Sequence, residues 1–232
     1  MKCDIRFSVD EEFEGVFPDP VPAVKMFPDY VKKLNPFVDD NDPQSSTAKR
    51  CLPFIDAMSM GYIIPLWADL QIIANSDGVE ARFPNNMPIE NSISGHPVQQ
   101  FANHPYSNSP MSENAFKAIN PWMIETPENW SCLFVPAINH FERKFQIVVG
   151  SVDTDNYYNT INFPFIWTGG EGNFLIKRGT PFVQVIPYYR GETTLHIGIT
   201  DAQKKKKTTA RIATYAKDAY RIDHWHKRKD SR

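Results

Sequence analysis

Residues 150–190 read GSVDTDNYYNTINFPFIWTGGEGNFLIKRGTPFVQVIPYYR. The run opens on two aspartates one residue apart, Asp153 and Asp155. It passes through the aromatic segment Asn162–Trp167, turns at Gly169-Gly170 and again at Gly179, and ends on a β-branched segment before Pro187. Short apolar and aromatic segments punctuated by Gly, Asn and Asp predict β-strands joined by tight turns. Within this stretch strands are expected over Thr160–Phe165, Phe174–Ile176 and Pro181–Ile186.

The same pattern extends in both directions. Upstream it predicts strands at Ile63–Leu66 and Ala68–Ala74, a turn at Ser76-Asp77-Gly78 into Val79–Phe83, and then Met123–Glu125, Ser131–Ala137 and Phe145–Val149. Downstream it predicts Thr193–Ile199. Short strands at near-regular spacing describe a sandwich or barrel and not alternating βαβ units. Helix signals are few. Thr47–Gly61 has a capping Thr47, Pro53 near a helix start and Gly61 after its end. Single turns are expected at Asp29–Leu34 and Glu113–Ile119. A basic helix is expected from about Thr208, with Ile212, Tyr215, Ala216, Ala219 and Tyr220 as an apolar stripe that docks on the body or on a partner. Six prolines between Pro18 and Pro43 make residues 1–46 an extended arm. The expected division is arm 1–46, β-rich core 47–203, and basic linker with C-terminal helix 204–232.

Composition narrows the function classes. A chain of 232 residues with 41% hydrophobic content suits one sizeable domain. No run approaches the roughly 18 apolar residues of a membrane span, and MKCDIRFSVDEE lacks the basic and apolar regions of an export signal, so a cytoplasmic protein with no membrane partner is expected. Cys3, Cys51 and Cys132 match neither a disulfide framework nor a metal motif. The net charge of −2 hides an asymmetry. Residues 204–232 carry eleven Lys or Arg against three Asp, and residues 1–203 carry fourteen basic against twenty-four acidic residues. Such a tail folds onto an acidic surface, its own or a neighbouring subunit's, or clamps nucleic acid through 204–229.

Several side chains are candidates for chemistry. Asp153 and Asp155 fit a carboxylate site, although aspartates so spaced also cap turns. His96 and His104, in the polar insertion from Phe83 to Pro121, read as surface histidines. His140, Glu142 and His196 have the order of a two-His, one-carboxylate Fe²⁺ centre, with open positions for dioxygen.

The motifs from Thr126 to Arg190 resemble the dUTPase and dCTP deaminase group. The counterparts, in order, are Thr126-Pro-Glu-Asn-Trp130, Pro136-Ala-Ile-Asn139, Gly150-Ser-Val-Asp-Thr-Asp155 with Tyr157, and Gly179-Thr-Pro-Phe-Val-Gln-Val185. The resemblance implies a β-clip built from a bent meander. It also implies a water-orienting role for Asp153, sugar stacking by Tyr157, Asn139 and Gln184 at the ligand's edge, and a Mg²⁺ cofactor. The phosphate-binding Arg-Ser-Ser triplet of that group is replaced by Ala137, Ile138 and Asn139, which removes the donors a polyphosphate needs. The stretches RCLPFIDAMSMGYIIPL, NPWMIETP and RGTPFVQVIPYYR also resemble a family of uncharacterised bacterial and tailed-phage proteins, which implies origin and no mechanism.

The expectation is therefore a mainly β chain, a β-clip or related bent barrel with a Pro-rich arm, a short helix near 47–60 and a basic C-terminal helix. It is expected to serve as a non-catalytic, oligomer-forming binding or accessory protein on a dUTPase-like scaffold. It would need no cofactor, would pair with itself as a dimer or trimer, would bind a small molecule or nucleotide through Tyr157, Gln184 and Asn139, and would reside in host cytoplasm or virion. The alternatives are a divergent Mg²⁺-dependent nucleotide pyrophosphohydrolase using Asp153 and Asp155, and an Fe²⁺ oxygenase using His140, Glu142 and His196.

Overall fold

A computed structural model of the chain describes residues 2–42, 45–84, 89, 92–95, 100, 115–141, 143–215 and 220–226, the side chain of Tyr215 excepted. The described strands are β1 (Arg6–Ser8), β2 (Val21–Pro22), β3 (Tyr62–Pro65), β4 (Leu70–Asn75), β5 (Gly78–Arg82), β6 (Ile93–Gly95), β7 (Ala115–Ile119), β8 (Met123–Glu125), β9 (Trp130–Pro136), β10 (Phe145–Ile147), β11 (Gly150–Val152), β12 (Asn162–Trp167), β13 (Gly172–Ile176) and β14 (Pro181–Tyr189). The α-helices are α1 (Asp29–Lys33), α2 (Leu52–Met58) and α3 (Ala202–Tyr215). The protein is mainly β, and its described strand pairs are all antiparallel. They form a five-stranded sheet β11-β9-β14-β3-β2, a four-stranded sheet β10-β12-β7-β6, a three-stranded sheet β13-β4-β5 and the pair β1-β8.

Period-two alternation builds these sheets. In β4, Leu70, Ile72 and Ala74 are buried, while Gln71 and Ile73 are only half-buried. In β12, Phe163, Phe165 and Trp167 point into the core. There Phe182 of β14 meets Trp67, Phe145, Phe163 and Phe165 at ring-centroid distances of 5.6, 5.4, 6.5 and 5.8 Å. Each such ring removed from water contributes about 1.5–3 kcal/mol, and the edge-on arrangements add to it. One continuous apolar cluster joins residues of all the larger sheets.

The N-terminal residues take part in this architecture. β1 pairs with β8, β2 extends the five-stranded sheet beside β3, and Phe17, Ala23 and Val31 are buried. α2 starts with Pro53 in its first turn, and Gly61 follows its end at φ +64°.

Three sequence expectations are corrected. The helical turn expected over Glu113–Ile119 is a strand where it is described: Ala115–Ile119 is β7, held between β12 and β6, with Ala115, Phe116 and Ala118 buried, and Glu113 and Asn114 lie outside the described residues. Pairing overrides the local preference. β14 does not end at Ile186 but runs to Tyr189; Pro187 lies beyond the last β3 pair, Val185 with Tyr62, where one side of the strand is an edge and a missing N–H is tolerated. Thr193–Ile199 is not a strand: among the described residues no edge pairs with it, and residues 191–200 are exposed and lie outside regular structure.

The C-terminal helix begins at Ala202, before Thr208. Asp201 caps it, its Oδ1 accepting from the backbone N–H groups of Gln203 (2.9 Å) and Lys204 (3.0 Å). Lys204–Lys207 are thus helical and not a linker, as suits a residue of good helix propensity. The apolar stripe does not dock on the body where it is described: Ile212 is 48% exposed. The chain returns to the body further on, where the Trp225 indole N–H donates to Asp56 Oδ2 at 2.8 Å.

Candidate functional site

The register of the five-stranded sheet gathers the aspartate pair. β11 pairs with β9 up to Val152 opposite Cys132, and β14 pairs with β9 up to Tyr189 opposite Trp130. The turn that follows β11 and the end of β14 therefore meet at the same end of β9. In the turn that follows β11 Thr154 is buried, Asp153 is exposed and Asp155 is half-buried. Thr154 Oγ1 lies 2.7 Å from Thr126 Oγ1 and 3.4 Å from Cys132 Sγ. Burial pushes the Cys132 thiol up to about 11, so it stays neutral and unreactive.

Between the aspartates sits Arg190. Its guanidinium donates to Asp155 through both Nη atoms, with Nη1 to Oδ1 at 3.0 Å. Nη1 also reaches Ser131 Oγ at 2.7 Å, the Trp130 carbonyl at 3.1 Å and Asp153 Oδ1 at 3.2 Å. Asp155 accepts further from the N–H of Asn129 (2.8 Å), a residue held at φ +65°, whose carbonyl accepts the Arg190 N–H at 2.9 Å. The side chain of Asp155 is only 6% exposed. Hydrogen bonds from the Arg190 guanidinium, aided by the Asn129 N–H, hold its carboxyl below the ordinary carboxylate range. The same pairing raises Arg190. Asp153 is more open, and its Oδ1 also accepts from Ser131 Oγ at 2.6 Å.

Asp153 and Tyr157 line one shallow groove of about 490 Å³, together with Ser151, Asn156, Ile161 and Asn162. Among the described residues no Lys or Arg lines it. A divalent cation on the aspartates would meet a guanidinium already bridging both, so the pair does not fit a Mg²⁺ site.

The remaining candidates lie apart from the groove. Gln184 is 1% exposed; its Oε1 accepts from the Ile138 N–H at 3.0 Å and its Nε2 donates to the Met60 carbonyl at 2.6 Å. It clamps β14 to the turn after β9 and to the segment leaving α2. Asn139 occupies that turn at φ +62°, next to Ile138. His140 Nε2 lies 2.9 Å from the Met26 carbonyl, which can only accept, so this nitrogen carries a proton and is not a metal donor. His196 is exposed on the 191–200 segment, and Glu142, His96 and His104 lie outside the described residues. Among the described residues no three His, Cys, Asp or Glu side chains are grouped to hold a metal ion.

Arg190, Ser131 and Asn129 are the site residues that sequence reasoning missed. The available signal was an arginine, Arg190, at the end of the same stretch as the two aspartates.

No family model and no curated protein matches the chain. Among solved structures it is similar to a mutant dUTPase from phage phi11 of S. aureus, described with a structural Mg(II) ion, at 8% identity and a TM-score of 0.37, over 88% of this chain and 99% of that one. It is also similar to the dUTPase of Staphylococcus bacteriophage 80alpha, described as controlling transfer of virulence genes by a G protein-like mechanism, at 10% identity and a TM-score of 0.28, over 58% of this chain and 98% of that one. TM-scores of this size do not establish a shared arrangement of strands. No helix among the described residues is long and apolar enough to cross a membrane.

Proposed function

We propose that the chain is a non-catalytic, self-associating binding or accessory protein, encoded by a phage and acting in the host cytoplasm or the virion. The observation that carries this reading is the engagement by Arg190 of both oxygens of Asp155 and of Oδ1 of Asp153, beside a groove whose described lining holds no Lys or Arg. An aspartate that orients an attacking water must offer the water a free, unneutralised oxygen. Here Asp155 is engaged through both oxygens, and Asp153 keeps Oδ2 alone, on a carboxylate whose Oδ1 is paired with a guanidinium and a hydroxyl and whose charge is thereby offset. A nucleoside triphosphate would bring several negative charges to a groove that already holds a carboxylate, whose described lining has no Lys or Arg and whose neighbouring Arg190 is paired with the aspartates. The groove suits a neutral or cationic small ligand laid against Tyr157. Phage origin is supported by the sequence likeness of residues 50–190 to bacterial and tailed-phage proteins. The alternative, a divergent Mg²⁺-dependent pyrophosphohydrolase, draws on Asp153 and Tyr157 sharing one groove.

Incubating the protein with dUTP or dCTP and Mg²⁺ while measuring released pyrophosphate separates the two. The expected result is no release above that of a buffer blank. Turnover that disappears in Asp153→Asn would overturn the non-catalytic reading and establish the hydrolase.

A further inference from the structure

The described part of the C-terminal tail rejoins the body at Trp225, and a cavity opens there. The Trp225 indole N–H donates to Asp56 Oδ2 at 2.8 Å, and its backbone N–H donates to the Tyr220 carbonyl at 2.7 Å, which holds the helical turn Tyr220–His224 beside α2. Between this turn and residues 46–53 lies a cavity of about 750 Å³, larger than the groove beside Asp153 and within the range of small-molecule sites. The two share no lining residue.

The lining divides by chemistry. Lys49, Arg50 and Arg221 bring three positive charges, Tyr220 and Trp225 bring two rings, and among the described residues no Asp or Glu lines the cavity. Asp223, in the same turn, is taken by Arg211, whose Nε and Nη2 donate to its carboxylate at 3.0 and 2.8 Å. Neutral groups place two of the cations. Lys49 Nζ donates to the carbonyls of Lys32 at 3.1 Å and Leu34 at 2.9 Å, which fix the ammonium and leave its charge and a third N–H over. The Arg50 guanidinium lies 4.5 Å from the centroid of the Phe37 ring, whose face orients it. Arg221 is exposed and makes no ion pair among the described residues. Like charges gathered round one cavity repel each other, and an anion bound among them relieves that repulsion.

We propose that this cavity binds a small organic anion that carries an aromatic ring, with the anionic group among Lys49, Arg50 and Arg221 and the ring against Tyr220 and Trp225. Guanidinium groups match the paired oxygens of a phosphate or a carboxylate, and the tether from Trp225 to Asp56 fixes one wall for the ring. The inference goes beyond the reading above. It concerns a second site, opposite in charge preference to the aspartate groove, and it stands whether or not copies of the chain associate.

The test uses the full chain. Cys51 lines the cavity and is exposed, whereas Cys132 is buried, so the rate of Cys51 alkylation by iodoacetamide, read by peptide mass spectrometry, reports occupancy. Phenyl phosphate and benzoate are the probes, with inorganic phosphate, acetate and benzyl alcohol as their separate parts. The expected result is that at least one probe slows Cys51 alkylation at a concentration at least about tenfold below that required of any part, and the better probe tells a phosphate site from a carboxylate site. Arg221→Glu should weaken that protection at least about tenfold, and Tyr220→Ala should remove the advantage of the ring-bearing anion over its anionic part. Both side chains are exposed, so circular dichroism should show the body folded in each variant. Absence of protection by either probe, protection no better than that of the parts, or protection unchanged in Arg221→Glu would each overturn the proposal. Protection by an oligothymidylate in place of the small anions would assign the three cations to nucleic acid and overturn it equally.

Discussion

Because the Arg190 guanidinium donates to both oxygens of Asp155 and forms an ion pair with Oδ1 of Asp153, the ionised state of Asp155 is bound into the fold of the site and is not merely tolerated by it. The carboxyl of Asp155 titrates below its ordinary value, near 3.9 in an unfolded chain. Its contribution to stability is thus fully present above about pH 4 and is lost as pH falls through the lower folded value, where the native state must also take up the proton. Asp155→Asn should lower the urea midpoint at pH 7 and flatten its decline below pH 4. An acid limb as steep in the variant as in the parent would show that other carboxylates govern it. The pair Asp153 and Asp155 was legible in the sequence because both belong to one short turn. Arg190 was not, because its place beside them depends on two strand registers on β9, and neither register is written in local pattern. Gln184 shows the complementary failure: a polar residue in a motif reads as a ligand contact, whereas its amide spans the Ile138 N–H and the Met60 carbonyl.

At the scale of elements, segments whose stability comes from their own pattern were readable and segments whose stability comes from neighbours were not. β4 and β5 announce themselves by alternation around Asp77-Gly78, and α2 by its proline and glycine. β7 looks helical in isolation and is a strand because β6 and β12 flank it. Thr193–Ile199 has strand chemistry and, among the described residues, no strand partner. Gly61 is where an element boundary meets packing. It takes φ +64°, and a Cβ there would stand 2.0 Å from the Val185 carbonyl oxygen of β14. Backbone cannot yield as a flexible side chain can, so Gly61→Ala combines left-handed strain, about 1–3 kcal/mol, with a collision that must spread α2's exit from β14. The variant should lose at least that much in chemical denaturation. A loss below about 1 kcal/mol would mean that the α2–β3 connection is loose enough to move away from β14.

The described residues form a body with one continuous core and, from Gly191 on, a C-terminal arm none of whose described residues belongs to that core. The apolar cluster draws on residues from Phe17 to Val185, and the aspartate network closes it at Arg190. Beyond that point the described link back to the body is the hydrogen bond from Trp225 to Asp56, worth about 0.5–1.5 kcal/mol. A chain ending at Glu192, which keeps Arg190, should therefore unfold at low concentration within about 1.5 kcal/mol of the full chain. Charge adds little to that link, because surface attraction is screened within about 10 Å at 0.1 M salt. The difference between the two chains should consequently stay the same in high salt. If shortening costs clearly more than this, and the excess fades as salt is added, the basic tail is held to the acidic body by its charges, and the Trp225 contact is a passenger on that attachment.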